Sequence, residues 1–145
     1  KKDIIVTAVA KNVAPQPVEN LLATHGLVEQ VVMVGDRRKH PSVLVVPAFG
    51  PLESWARGEG IAWSSREDLL SNKAVIAHME SELFGMLGAC AAYEQPKKLA
   101  LLAEEFTVEN GMLTPTLKVK RRVVQEKLDD LIDRLYSEEA PDCDV

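Results

Sequence analysis

With 145 residues and a mass of 16.0 kDa, the chain has room for one compact domain. Its 46% hydrophobic and 27% charged residues describe a globular chain, and a net charge of -5 argues against a nucleic-acid partner, whose domains are usually basic. No apolar run approaches the ~20 residues that span a bilayer, and two cysteines, Cys90 and Cys143, cannot build a disulfide framework, which points to a reducing, cytoplasmic setting.

The chain opens on Lys1-Lys2-Asp3-Ile4-Ile5-Val6, without an initiator Met or a signal peptide, and reads as a piece of a longer protein. Ile4 to Thr7 is β-branched and predicts a short strand, with a loop from Ala8 to Ala14. Pro15 and Pro17 suit the first turn of a helix, Val18, Leu21 and Leu22 share a face, and Gly26 is the expected stop. Val31–Val34 and Val43–Val46 are continuous apolar runs around the polar connector Gly35 to Pro41, which predicts a hairpin covered on both faces. Pro51 to Gly60 predicts a short helix. The segment from Ser71 to Ala92 predicts a long one, with Ser71 as N-cap and Ile76, Met79, Leu83 and Leu87 as its stripe. Leu99 to Ala103 reads as a strand, and Asn110-Gly111 as the turn of a small hairpin from Phe106 to Leu113. A final helix is expected from Val119 or Lys120, with Leu128, Leu131, Ile132 and Leu135 inward. Ser137 to Val145 is acidic, contains Pro141, and is expected to be a disordered tail after a domain over residues 1–136. The order predicts an α+β fold, a small mixed β-sheet flanked by helices.

Little in the composition announces chemistry. There is no HExxH, GxSxG or Cys/His ligand cluster, so no metal site is expected. His78 and Cys90, both on the long helical segment, read as structural residues. One segment stands out: four of the seventeen cations fall within Lys118-Val119-Lys120-Arg121-Arg122. Cations are disfavoured at a helix start, and a local basic patch on an acidic chain suits a phosphate-bearing ligand. The uncharged stretch Ala8-Val9-Ala10, between strand and helix, would let a flexible ligand pass close to the backbone.

Lys1 to Ala8, then Lys11 to Pro15, then Glu19-Asn20, resembles the start of the mobile C-terminal domain of acyl-adenylate-forming enzymes. Leu113-Thr114-Pro115-Thr116-Leu117-Lys118-Val119-Lys120-Arg121-Arg122 looks like the catalytic-lysine signature of their long-chain fatty-acid–CoA ligase branch. Other branches usually place a glycine where this chain has Leu117. The resemblance covers roughly Lys1 to Tyr136. It implies a two-step reaction: a fatty acid attacks the α-phosphate of ATP, which carries Mg2+, and coenzyme A then displaces AMP. A large N-terminal domain would supply most of the ATP site and the acyl pocket, and this domain would rotate between steps.

By that resemblance Lys118 is the adenylation lysine and Lys2 the hinge. Thr7, Ala8, Val9, Ala10, Lys11 and Asn12 line the coenzyme A channel, and Arg121, with Lys120 and Arg122, contacts coenzyme A phosphates. Family members commonly carry Ala-Gly-Gly or Ala-Ala-Gly before Lys-Asn, so the methyl group of Ala10 falls where relatives leave room for pantetheine. The implied partners are the N-terminal domain, fatty acid, ATP and coenzyme A, with peripheral membrane contact open and no nucleic acid. The fragment by itself is expected to be inactive. Two alternatives stay open: another adenylate-forming enzyme with a different acid or acceptor, or a non-catalytic module that binds anions through residues 118–122.

Overall fold

The computed structural model describes residues 4–8 and 11–143, with side chains as far as residue 137. It divides into two units, Lys1–Glu105 and Phe106–Val145.

The first unit begins with a hairpin that pattern reading had missed. β1 (Ile5–Val6) pairs antiparallel with β2 (Asn12–Val13), Ile5 opposite Val13. Two-residue strands are too short to show an alternation, so the segment read as strand and loop. Ile5 and Val13 point into the core, and Val6 points out. α1 (Pro15–Leu22) starts on proline, as expected, and buries Val18 and Leu22. It ends at Leu22, four residues before Gly26.

β3 (Val28–Val34) and β4 (Ser42–Pro47) form the expected antiparallel pair, with Met33 opposite Val43. β5 (Lys98–Leu101) lies parallel to β4 on its other side, so the sheet is mixed, in the order β3-β4-β5. A parallel neighbour requires a long crossover. Three helices supply it: α2 (Phe49–Gly58), α3 (Arg66–Ser71) and α4 (Lys73–Phe84). Every residue of β4 is buried, as its unbroken apolar run implied. Met33, Val43, Val45, Leu52, Leu69, Val75, Met79 and Leu83 share one core, each buried side chain contributing roughly 1.5–3 kcal/mol against its ordering entropy.

The helix predicted from Ser71 to Ala92 is the shorter α4, which begins after Asn72 and ends at Phe84, while α3 ends at Ser71. Asn72 is extended (ψ 126°) and interrupts the pattern. Its Oδ1 accepts from the N–H groups of Ala74 and Val75 at 2.8 and 3.3 Å, so Asn72, not Ser71, caps α4. Ser71 instead donates to the Asp68 carbonyl at the end of α3. The buried stripe is Val75, Met79 and Leu83, and Ile76 is only half-buried. After Phe84 the chain passes through short 3₁₀ turns at Gly85–Leu87 and Ala92–Glu94.

In the second unit Asn110-Gly111 makes a turn but not the hairpin expected between Phe106 and Leu113. Asn110 Oδ1 accepts from the N–H groups of Thr107 and Met112, both at 3.0 Å. Side-chain bonds of this kind hold the turn without a ladder. Gly111 sits at φ +83°, which a residue with a Cβ rarely adopts. The final helix is two: α5 (Arg121–Lys127) and α6 (Asp129–Cys143). Phe106, Leu113, Val124 and Ile132 are buried, while Leu128, Leu131 and Leu135 are half-buried. α6 runs helical to Cys143, so it overlaps the tail expected from Ser137. Among the described residues no helix is long and apolar enough to cross a membrane.

Candidate functional site: a lysine turn and a loop hairpin

Lys118 lies on a tight reversal between Leu113 and Val119, which form an antiparallel bridge. Thr114 organises it. Its N–H donates to the Lys118 carbonyl at 2.8 Å, its carbonyl accepts from Leu117 N–H at 2.8 Å, and its Oγ1 accepts from Lys118 N–H at 3.0 Å. The Thr114 and Thr116 hydroxyls are 3.0 Å apart. One threonine thus fixes the backbone on both sides of the lysine, and the Lys118 side chain stays exposed. Leu117, directly before it, is at φ +66° and 70% exposed. That is the position where other branches of the resembled superfamily place a glycine, and its backbone conformation is one that glycine adopts freely.

The other cations of the segment differ from one another in setting. Lys120 is the exposed residue preceding α5, Arg121 is half-buried in its first turn, and Arg122 is exposed. Arg122 lines an open cleft of about 390 Å³ with Gln125, Glu126 and Asp129. Two carboxylates there oppose an anion, which weakens the case for Arg122 as a phosphate contact. Lys127 Nζ donates to the Asn110 carbonyl at 2.6 Å and ties α5 to the Asn110 turn.

In the first unit the β1–β2 hairpin gathers four of the expected channel residues. Thr7 is buried, and Ala8, Lys11 and Asn12 are exposed. Thr7 N–H donates to the Lys11 carbonyl at 3.0 Å, and Lys11 N–H to Thr7 Oγ1 at 3.3 Å, so Thr7 closes the loop on itself. The β3–β4 connector braces it: Ala8 N–H donates to the Arg38 carbonyl at 2.7 Å, Arg37 N–H to the Val6 carbonyl at 2.8 Å, and Val6 N–H to Asp36 Oδ1 at 3.1 Å. Val9, Ala10 and the hinge candidate Lys2 lie outside the described residues.

Pattern reading had not singled out Tyr93. The residue is 45% exposed, and its ring centroid lies 5.5 Å from Lys11 Nζ, within cation–π range. Gln95 Nε2 holds the segment carrying it by donating to the Leu87 and Cys90 carbonyls, each at 2.9 Å. Nothing in the local sequence links residues 11 and 93. His78 stacks on Trp55, centroids 3.9 Å apart, which fits the structural role read for it. Among the described residues no three His, Cys, Asp or Glu side chains gather to hold a metal ion.

The model of the AMP-binding enzyme C-terminal domain matches residues 2–82, and the chain belongs to that family. A long-chain-fatty-acid–CoA ligase of Mycobacterium tuberculosis is 38% identical over 96% of this chain. The peroxisomal long chain acyl-CoA synthetase 6 of Arabidopsis thaliana is 34% identical over 95% of it, and long-chain-fatty-acid–CoA ligase 1 of Cavia porcellus 35% over 94%. The chain spans only 23%, 20% and 20% of those proteins. Among solved structures, the A-PCP didomain of a carboxylic acid reductase from Segniliparus rugosus, in complex with AMP, covers 97% of the chain with a TM-score of 0.76. This chain covers 18% of it, and at 22% identity the likeness shows the fold.

Proposed function

We propose that this chain is the lid domain, over residues 1–136, of an AMP-forming long-chain fatty acid–CoA ligase. The observation that carries the reading is the Lys118 turn: a backbone pinned from both sides by Thr114 and a flexible, exposed ammonium beyond it. In the first step a fatty-acid carboxylate oxygen bonds to the α-phosphorus of ATP, and pyrophosphate leaves with the bond electrons. Lys118 lies one charge beside the carboxylate and the bridging oxygen, where it offsets negative charge as the transition state forms. In the second step the coenzyme A thiol, losing its proton, attacks the acyl carbonyl, and AMP leaves. Thr7, Ala8, Lys11 and Asn12, with Val9 and Ala10, form one wall of the thiol's path; Lys2 is the hinge, and Arg121 meets coenzyme A phosphate. Magnesium arrives with ATP. A cytoplasmic enzyme with peripheral membrane contact goes with this reading.

The test uses the intact parent enzyme. Lys118→Ala should slow pyrophosphate release with palmitate and ATP by about 10²–10³-fold and leave thioester formation from pre-made palmitoyl-adenylate near wild type. Full retention of the first activity overturns the assignment. Lys118→Arg separates catalysis from a plain anion-binding patch, since the patch tolerates the swap and a geometrically constrained lysine does not.

A further inference from the structure

Leu117 sits in two unfavourable situations at once. Its backbone is in the left-handed region, at φ +66°, where a Cβ crowds the neighbouring carbonyl. Its side chain is 70% exposed, the largest exposure among the exposed large hydrophobics described. The turn does not need the leucine: its hydrogen bonds run through Thr114 and through main-chain atoms that a glycine also possesses. For the chain as described, glycine at this position would relieve the backbone and remove an apolar side chain from water. An observed backbone outlier beside a functional residue is grounds for a hypothesis of function.

We propose that Leu117 is a positioning residue for Lys118. During adenylation its side chain is buried in the apolar lining of the cleft of the N-terminal domain, and that burial anchors the turn so that Lys118 Nζ is held at the reacting carboxylate. This rests on the reading of Lys118 as the adenylation lysine. The occupant follows from two observations. The chain spans 23% of a ligase that it matches at 38% identity, so a much larger body is expected beside it. Leu117 is also the immediate neighbour of the residue which that body must receive, so wherever Lys118 is drawn in, Leu117 travels with it. Burying it there recovers a favourable transfer only in the closed, adenylating arrangement.

The experiment uses the intact ligase with Leu117→Gly, Leu117→Asn and Leu117→Met, and Lys118→Ala alongside. Glycine and asparagine both tolerate the left-handed backbone but lack the apolar anchor. Leu117→Gly should melt at or above the wild-type temperature and form thioester from pre-made palmitoyl-adenylate at the wild-type rate. It should lose about tenfold in kcat/KM for pyrophosphate release. Leu117→Asn should show the same loss, and Leu117→Met should keep most of the activity. Wild-type pyrophosphate release by Leu117→Gly overturns the anchor, as does an equal loss in both half-reactions or a lowered melting temperature, either of which marks a structural role. If Lys118→Ala stays fully active, the reading of Lys118 falls and the anchor with it; if Lys118→Ala is inactive while Leu117→Gly is normal, only the anchor falls.

Discussion

Glu19 is a buried carboxylate on α1 whose Oε2 accepts the N–H of Met33 at 2.6 Å. β3 is an edge strand of its sheet, and the carboxylate covers that edge. Replacing Glu19 by Ala removes this charge-assisted bond and should cost about 1.5–3 kcal/mol, read from a denaturant midpoint. Glu80 is a residue of a different kind. Burial pushes its carboxyl above the ordinary glutamate value, and the Lys98 ammonium pulls part of the way back. The folded form therefore holds its proton to higher pH than the unfolded form. That favours folding below the unfolded value, near ~4.3, and the advantage is lost as pH rises through the folded value. Glu80→Gln should flatten the stability–pH curve over that window, and an unchanged slope would show that the shift has no energetic consequence. Tyr93 makes a third case, since its ring holds Lys11. Tyr93→Phe keeps a π face and Tyr93→Leu does not. The leucine variant should raise KM for coenzyme A about two- to fivefold with kcat preserved, the size of an exposed cation–π contact.

Elements were legible where the pattern ran long enough to repeat. The apolar runs of β3 and β4 announced both the hairpin and its double burial, and the prolines announced the start of α1. The helix expected from Ser71 to Ala92 differs at both ends: it stops at Phe84, and its start is set by one residue. Asn72 is compatible with a helix interior by pattern alone, but its side chain competes for backbone N–H groups and starts a new helix instead. Asn72→Ala should therefore destabilise the first unit by about 1 kcal/mol, the usual cost of a lost cap, and a smaller change in the melting transition would mean that α3 and α4 are held by packing alone. The same competition explains residues 106–113. Asn110-Gly111 gave the correct turn, but the Asn110 and Thr107 side chains take up backbone groups that a ladder would have used. The β1–β2 hairpin had no periodic signal, and it is held by burial of Ile5 and Val13 and by bonds to Asp36, Arg37 and Arg38, more than twenty residues away.

At the scale of the molecule, the two candidate motifs, one in each unit, are local in sequence, and each carries its own framework. Thr7 closes the first loop and Thr114 the lysine turn, within four residues of Lys11 and Lys118 respectively. Long-range partners such as Tyr93 left no such trace in the sequence. Two separate motifs also make a prediction about the whole enzyme that one composite site would not. If a rotating lid presents them in turn, lesions in each should affect different half-reactions. Lys118→Ala should impair pyrophosphate release and spare the thioester step, and Lys11→Ala should do the reverse. The double variant should then show each defect at its single-variant size, because lesions that act on separate half-reactions add. A crossed assay of the three variants, with palmitate and ATP for one step and palmitoyl-adenylate with coenzyme A for the other, decides it. Equal losses in both steps for either single variant would mean that both lysines serve one arrangement of the enzyme, and the alternating lid would have to be abandoned.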